Sequence, residues 1–135
     1  MAGRNFPPDF PGNNYPNVEV VGEVENSHSF LRSKSIMIVP LFSGSGMRVK
    51  IIEAMAEGKP VISTTVGAEG INATDNVNIL IADTADAFAR QIKRMLKDKE
   101  EATRIGSNAR AFVCENFDSK KIVSDLLEFY KSILK

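Results

Sequence analysis

The sequence has little of the residue chemistry that metals, disulfides and nucleophilic catalysis require. It contains one cysteine, Cys114, so no internal disulfide can form, and one histidine, His28, so no site with two histidine ligands can form. The lone histidine also leaves little room for a Ser-His-Asp arrangement. We predict that His28 is a surface residue and that Cys114 lies in the core or at its boundary, in a protein of a reducing compartment.

Several larger patterns are missing as well. The chain has 17 basic residues (lysine and arginine) and 17 acidic residues (aspartate and glutamate), so its net charge is zero. A nucleic-acid-binding protein would normally have an excess of basic residues, so this balance argues against a nucleic-acid partner. No apolar run approaches the roughly 18 residues that a membrane-spanning helix needs. The first residues lack the basic start and apolar stretch of a signal peptide, which favours a cytoplasmic location. Neither a Walker loop nor the G-x-G-x-x-G dinucleotide pattern is present.

The chain has 135 residues, of which 43% are hydrophobic and 25% charged. This composition is typical of a soluble globular protein. This length fits one domain. The first 17 residues hold four of the six prolines and read as loop. They lead into a β-branched run without any preceding helix, so we expect the chain to be a piece of something larger.

The rest of the chain alternates between strand and helix patterns. The predicted strands are Val18–Val21, Ile36–Val39, Pro60–Thr65 and Ile79–Asp83. The sequence also predicts five helices: Asn26 or Ser27 to about Lys34, Met47–Glu57, Asp83 or Thr84 to about Lys97, Glu100–Asn116, and a last helix from Asp118 or Ser119 onward. Gly58 ends the second helix, and the last helix has one apolar face. This order predicts an α/β fold with a parallel sheet, helices on both faces and a helical C-terminal end.

The segment Ser43–Glu53 follows a strand, makes a glycine turn and opens a helix. Ligands of such sheets bind at the carboxyl ends of strands. Gly44 and Gly46 allow a ligand to approach the backbone closely, and the free N–H groups of a first helical turn form an anion site. Arg48 and Lys50 are unfavourable near a helix N-terminus unless an anion is also there. The segment therefore indicates an anion-binding site.

Glu53 has a different predicted setting. At about 100° per residue it lies at the border of an apolar arc, where its carboxylate is partly shielded. Such a carboxylate can accept hydrogen bonds from two neighbouring hydroxyls, as of a ribose. The predicted arc consists of Val49, Ile52, Met55 and Ala56.

Each of these features also has a plain structural explanation. A glycine turn before a helix is often only a turn. Pairing of Lys50 with Glu53 or with Glu57 is ordinary on a helix surface and worth a few tenths of a kcal/mol. Glu69 follows a strand on a predicted loop, and we interpret it as a turn residue. Contact with a ligand is the second alternative for it. The combination of features within one segment favours the functional interpretation.

The segment IMIVPLFSGSGMRVKIIEAMAEGKPVISTTVGAEGI resembles the donor-binding half of GT-B glycosyltransferases, in the large retaining group often called family 4. The likeness extends upstream through AGRN and VEVVGEVENS and downstream through the last helix. It implies a truncated Rossmann-like domain, half of a GT-B fold, in which residues 1–135 are a partial C-terminal nucleotide-sugar-binding domain. The N-terminal acceptor domain is then absent from this chain.

The resemblance also assigns roles to individual residues. The family has two glutamates separated by seven residues, and the second, which binds the ribose, matches Glu53. The first, which contacts the donor sugar, falls on Ser45, so this sequence departs from the pattern there. Either Ser45 and the backbone of Gly46 and Met47, with Gly44 in the same turn, substitute for this glutamate, or the sugar is held in another way. Arg48 and Lys50 look like the diphosphate-binding cations of a subgroup with G-S-G-x-R-x-K, and would stabilise the leaving group.

The function that this resemblance implies is donor recognition in a retaining enzyme that transfers a sugar to an acceptor hydroxyl. The substrate is a nucleotide-diphospho-sugar, and no cofactor or metal is expected. The chain alone should lack transferase activity, and any peripheral membrane association should occur through the missing N-terminal domain. Two alternatives stay open: a non-catalytic nucleotide- or anion-binding module, and a sugar-nucleotide epimerase on the same scaffold.

Overall fold

A computed structural model describes residues 1–3 and 5–134. At its centre is a sheet of three parallel strands, in the order Met37–Val39 (β1), Val61–Ser63 (β2) and Leu80–Ile81 (β3). The register places Ile62 of β2 between Ile38 and Leu80. The predicted α/β class with a parallel sheet is confirmed.

The strands are shorter than the sequence predicts, and one predicted strand is wrong. Among residues 1–3 and 5–134, the segment Val18–Val21 forms no strand, and next to it an isolated parallel bridge joins Ala2 and Gly22. Two backbone hydrogen bonds accompany it, from the Gly3 amide to the Gly22 carbonyl and from the Val21 amide to the Met1 carbonyl, both at 2.8 Å. Among the described residues this short pairing is too limited to make a strand.

The described residues include five α-helices. They are Ser27–Arg32 (α1), Val49–Ala56 (α2), Ala85–Lys97 (α3), Lys99–Asn116 (α4) and Ser119–Ile133 (α5), and a short 3₁₀ helix covers Pro11–Asn14. The predicted helices are all present, with ends that differ by a few residues. Helix α2 begins at Val49 instead of Met47, and α1 ends at Arg32 instead of about Lys34.

The core has two parts, one on each face of the sheet. Val61 of β2 belongs to the part that contains Ile51 and Met55 of α2 together with Ala109 of α4. The next residue, Ile62, belongs to the part that contains Phe88 and Met95 of α3 together with Leu80 and Ile105. Successive strand residues point to opposite faces, so this alternation shows that helices cover the sheet on both sides.

The C-terminal end of α2 packs closely against α4. Gly58 has φ +68°, and the amides of Gly58 and Lys59 bond to the carbonyls of Met55 and Ala54 at 2.9 and 3.0 Å, which is the Schellman arrangement that ends a helix. A Cβ atom at Gly106 of α4 would lie 2.1 Å from the Gly58 carbonyl oxygen. Only a glycine at position 106 therefore permits the two helices to approach this closely.

The last helix and the single cysteine are more exposed than the sequence predicts. Helix α5 has an apolar face, as predicted, but none of its residues is buried. Cys114 is exposed, so its predicted place in the core is wrong: Val113 and Ala109 face the core from α4 instead. Among residues 1–3 and 5–134, no helix has the length and apolar character needed to cross a membrane.

Candidate functional site

The segment Ser43–Glu53 lies where the sequence predicts it, at the carboxyl end of β1 and the start of α2. Gly44 has φ +125° and Gly46 has φ +83°, conformations that glycine adopts without strain. Apart from Gly46 and its two chain neighbours, no atom of the described residues lies within 4 Å of the position that a Cβ at Gly46 would occupy, so the backbone is open there. The predicted glycine turn is confirmed, with free space beside its second glycine.

Arg48 takes a position that the sequence does not predict. It is the N-cap residue of α2 instead of a member of its first turn, with an extended backbone at φ −91° and ψ 92°. Its Nη1 donates hydrogen bonds to the Ser45 carbonyl and, at 2.9 Å, to the Gly46 carbonyl. Its Nη2 lies 2.5 Å from where a Cβ at Gly44 would be. The guanidinium therefore folds back over the glycine turn and holds it.

The nitrogen atoms of Arg48 are only partly satisfied. Its Nε is buried and has no hydrogen-bond partner within the described part of the chain. A buried donor without a partner is unusual and calls for an explanation, of which a missing ion or ligand is one. The Arg48 side chain therefore contacts the turn through Nη1 and keeps, at Nε, a hydrogen-bond donor that has no acceptor among the described residues.

The N-terminus of α2 differs from those of the other helices. Side chains of Asn26, Thr84, Asp98 and Asp118 accept hydrogen bonds from the first-turn amides of α1, α3, α4 and α5. Helix α2 has no such side-chain cap among the described residues and no acidic residue in its first turn. In α2 the Ile51 amide bonds to the Arg48 carbonyl at 2.9 Å, and the amides that precede it have no side-chain acceptor among the described residues. These amides lie at the positive end of the helix dipole and are available to an anion.

Lys50 and Glu53 lie together on α2. The Lys50 Nζ is 2.7 Å from the Glu53 Oε2 and 3.4 Å from the Ser27 Oγ. The Lys50 side chain is 61% exposed and the Glu53 side chain 24% exposed. Glu53 is thus partly shielded, as the sequence predicts, although its neighbours on the helix differ from the predicted ones.

The apolar face of α2 is rotated relative to the prediction. Val49 and Ala56, predicted to lie on it, are exposed, whereas the buried residues are Ile51, Ala54 and Met55. The helix starts two residues later than predicted. Because it packs against both the sheet and α4, the side that carries Ile51 and Ala54 is the buried one.

Glu57 pairs with α1 instead of Lys50. Its carboxylate accepts a hydrogen bond from the Arg32 Nε at 2.6 Å and lies 3.2 Å from the Nδ1 of His28, which is a surface residue as predicted. The Arg32 hydrogen bond is the main reason that the pKa of Glu57 is lowered. Of the two surface pairs considered for Lys50, only the one with Glu53 forms within the described residues.

A second glycine loop lies beside the first one. It follows β2 and covers Val66–Gly70, and a Cβ at Gly70 would be 3.9 Å from the Cβ of Met47. Glu69 is exposed on this loop. The sequence interpretation of Glu69 as a turn residue agrees with the turn observed here, and the proximity of the loop to Met47 brings it to the candidate site.

Asp83 links the ends of two strands. Thr84 caps α3 through a hydrogen bond from the Ala87 amide at 3.2 Å, so of the two predicted starts of this helix, Asp83 and Thr84, the second is confirmed. The Asp83 carboxylate instead accepts hydrogen bonds from the amide and the hydroxyl of Thr65, both at 2.7 Å, and these bonds lower its pKa. This link between the ends of β2 and β3 joins residues 18 positions apart and has no sequence signal.

Two cavities lie away from this segment. One of about 440 Å³ is lined by residues between Gly3 and Glu23, and one of about 610 Å³ is lined by residues between Arg94 and Glu101. Arg48 contacts the glycine turn, whereas Lys50 and Glu53 contact each other. The prediction that these three residues form one donor-binding site stays a prediction. No group of three or more potential metal ligands occurs in the part of the chain that the structure describes.

Comparisons with known proteins place this site in a family. A family model described as glycosyl transferases group 1 matches residues 5–98. N-acetyl-alpha-D-glucosaminyl L-malate synthase of Bacillus anthracis is 32% identical over 117 residues, which are 85% of this chain and 30% of the relative. An uncharacterized 44.6 kDa protein in the cps region of Klebsiella pneumoniae is 33% identical over 93 residues, which are 69% of this chain and 24% of the relative. The chain thus spans about a quarter to a third of the curated relatives it matches.

Solved structures show the same fold. The Anabaena protein HepE, crystallised in complex with UDP, has a TM-score of 0.82 at 20% identity, over 97% of this chain and 40% of that one. Sucrose-phosphate synthase of Thermosynechococcus elongatus has a TM-score of 0.75 at 27% identity, over 90% of this chain and 31% of that one. These similarities confirm the expected fold as part of a GT-B glycosyltransferase structure.

Proposed function

The chain belongs to the group 1 glycosyl transferases, and from this membership we propose that it binds the nucleotide-diphospho-sugar donor of a retaining glycosyltransferase. In this proposal the whole protein transfers the sugar to an acceptor hydroxyl, and the acceptor is bound by an N-terminal domain outside residues 1–135. The UDP complex of HepE, a protein of the same fold, supports a nucleoside diphosphate as the common ligand.

The uncapped N-terminus of α2 is the observation that carries the proposal. Four of the five described α-helices have a side-chain acceptor on their first-turn amides, and the exception is the α-helix that follows the glycine turn. Helix N-termini bind phosphate through free amides and the helix dipole. A diphosphate placed there would supply the acceptor that α2 lacks.

Arg48 and Lys50 add positive charge at this helix start. We propose that Arg48 keeps Nη1 on the Ser45 and Gly46 carbonyls and donates to the diphosphate through its other nitrogens. Lys50, with its Nζ close to Glu53, contributes a second cation. When the bond between the sugar and the diphosphate breaks, negative charge grows on the leaving group, and these fixed donors stabilise it more strongly than they stabilise the bound donor.

The sugar and the ribose would lie on opposite sides of the diphosphate. Ser45, together with the backbone of Gly44, Gly46 and Met47, would contact the sugar, since the open space beside Gly46 leaves room for it. Glu53 would accept hydrogen bonds from the ribose hydroxyls. No metal is part of the proposed mechanism, because the leaving-group charge is met by the helix and the two cations.

Exchange of Glu53 for Gln tests the ribose assignment. A carboxylate accepts from both ribose hydroxyls, whereas the Gln amide presents one acceptor oxygen. We expect the parent chain to bind UDP about tenfold more tightly than 2′-deoxy-UDP, the effect of about one hydrogen bond. Glu53→Gln should bring this ratio close to one in calorimetric titrations and leave the affinity for deoxy-UDP nearly unchanged.

Glu57→Gln is the matched control, since it makes the same change one turn later, at the C-cap of α2, where Arg32 and His28 already contact the carboxylate. It should keep the parent's preference for ribose. A Glu53→Gln chain that discriminated between UDP and deoxy-UDP as well as the parent does would contradict the ribose assignment.

A further inference from the structure

Thr64 is the buried polar residue at the point where the two glycine loops approach each other. It follows β2 directly and has no exposed surface, like the neighbouring Ser63. A buried hydroxyl is kept in a protein core only when hydrogen bonds compensate for its lost contact with water. The hydrogen-bond partners of the Thr64 hydroxyl therefore indicate its structural role.

These partners belong to two different loops. The Thr64 hydroxyl donates to the carbonyl of Leu41, which precedes the turn of Gly44 and Gly46. The same oxygen accepts a hydrogen bond from the amide of Gly67 at 2.9 Å, and Gly67 lies in the second loop. One side-chain oxygen thus joins the segment that leaves β1 to the segment that leaves β2.

The second loop packs closely against Ser63, Thr64 and the end of β1. A Cβ at Gly67 would lie 2.4 Å from the Ser63 Oγ, 3.1 Å from the Thr64 Oγ1 and 3.4 Å from the Val39 carbonyl oxygen. The second loop therefore passes directly over the ends of both strands. Three residues later, Gly70 approaches Met47 of the first loop.

We propose that Thr64 is a positioning residue that couples the two loops and thereby sets the place of the donor-binding turn. It acts through the Leu41 carbonyl and the Gly67 amide and does not touch the ligand. Its effect on ligand affinity rests on the proposed function, whereas the coupling of the loops does not.

Two exchanges at position 64 separate the hydroxyl from the rest of the side chain. Thr64→Val has nearly the same shape but removes the hydroxyl, which leaves the Leu41 carbonyl and the Gly67 amide without their partner. Thr64→Ser keeps the hydroxyl and removes only a methyl group. Ser63→Ala is the matched control, because the Ser63 hydroxyl is equally buried and bonds at 3.1 Å to the carbonyl of the adjacent Thr64.

Hydrogen exchange of backbone amides tests the coupling directly. In Thr64→Val we expect exchange to accelerate about tenfold, the effect of one lost hydrogen bond, both at Gly67 and at Leu41, whose own amide bonds to the Val39 carbonyl at 3.0 Å. Thr64→Ser and Ser63→Ala should exchange like the parent at both places, and the amides of α3 serve as the internal reference for an intact fold. Acceleration at Gly67 alone, or equally in Ser63→Ala, would overturn the coupling.

Titration of the same variants with UDP tests the positioning role. Thr64→Val should bind UDP about tenfold more weakly than the parent, and Thr64→Ser should restore the affinity. Unchanged UDP affinity in a Thr64→Val chain with accelerated loop exchange would overturn the positioning role. A parent chain that bound no UDP would contradict the proposed function, and the exchange experiment would still decide whether Thr64 couples the loops.

Discussion

Exchange of Gly106 for Ala should destabilise the protein by about 3 kcal/mol, near the upper end of the usual range for overpacked sites. The added Cβ would meet the Gly58 carbonyl oxygen at 2.1 Å and the Gly58 carbonyl carbon at 3.0 Å, with Pro60 Cδ at 3.4 Å. The first two are backbone atoms within the motif that ends α2, so they cannot move aside as a flexible side chain would. Helix α4 has to shift away from α2, and the core between them opens.

The expected loss of stability in Gly106→Ala is opposite in sign to the usual effect of this exchange in a helix. Gly to Ala in an exposed helix interior normally stabilises by about 1 kcal/mol. Ser107→Ala is the matched control at the next, exposed position of α4, and should change the free energy of unfolding by about 0.5 kcal/mol or less. Urea unfolding followed by circular dichroism measures both variants. A Gly106→Ala chain as stable as the parent would show that the helices are not in this close contact.

Arg48→Ala should weaken the binding of a nucleoside diphosphate by about 1.5–3 kcal/mol, the range for hydrogen bonds to charged groups. The exchange removes a cation from the start of α2. It also removes the hydrogen bonds that hold the carbonyls of Ser45 and Gly46. The diphosphate therefore loses a direct partner and a preorganised turn at once, which makes this the largest binding effect that we expect from one residue.

Two further variants separate the contributions of Arg48. Arg48→Lys keeps the charge but not the planar fork, so it should bind UDP with an affinity between those of the parent and Arg48→Ala. Arg104→Ala removes an arginine from α4, where it pairs with Glu101 at 3.4 Å, and should bind UDP like the parent. Titration calorimetry measures all of these affinities. Equal affinities of the parent and Arg48→Ala would exclude the guanidinium from the site.

The sequence predicted the parts of the fold that depend on local patterns. The apolar run before the glycine turn predicted β1, the turn and the start of a helix, and Gly58 predicted where that helix ends. These features depend on residues close in sequence and on the special freedom of glycine. The strand predicted at Val18–Val21 failed because a strand needs a paired neighbour, and the propensity of β-branched residues does not provide one.

The contacts of the candidate site were less predictable. The fold of the Arg48 side chain over the turn depends on where two carbonyls point, which a residue pattern does not specify. Asp83 and Thr65 are 18 positions apart, and Thr64 and Leu41 are 23 positions apart. Such contacts appear only when the ends of neighbouring strands are placed side by side. The predicted roles of Gly44, Ser45, Gly46, Met47, Arg48, Lys50 and Glu53 in donor binding stay predictions.

Mapping of a bound nucleotide by NMR tests the proposed donor site most directly. Titration of the ¹⁵N-labelled chain with uridine, guanosine and adenosine diphosphates should shift the amide signals of residues 43–53 for at least one of them, with smaller shifts in Val66–Gly70. Inorganic pyrophosphate should shift the start of α2 but not the signal of Glu53. Shifts confined to the cavity residues between Arg94 and Glu101 or between Gly3 and Glu23, or no shifts with any nucleotide, would contradict a donor site at the start of α2.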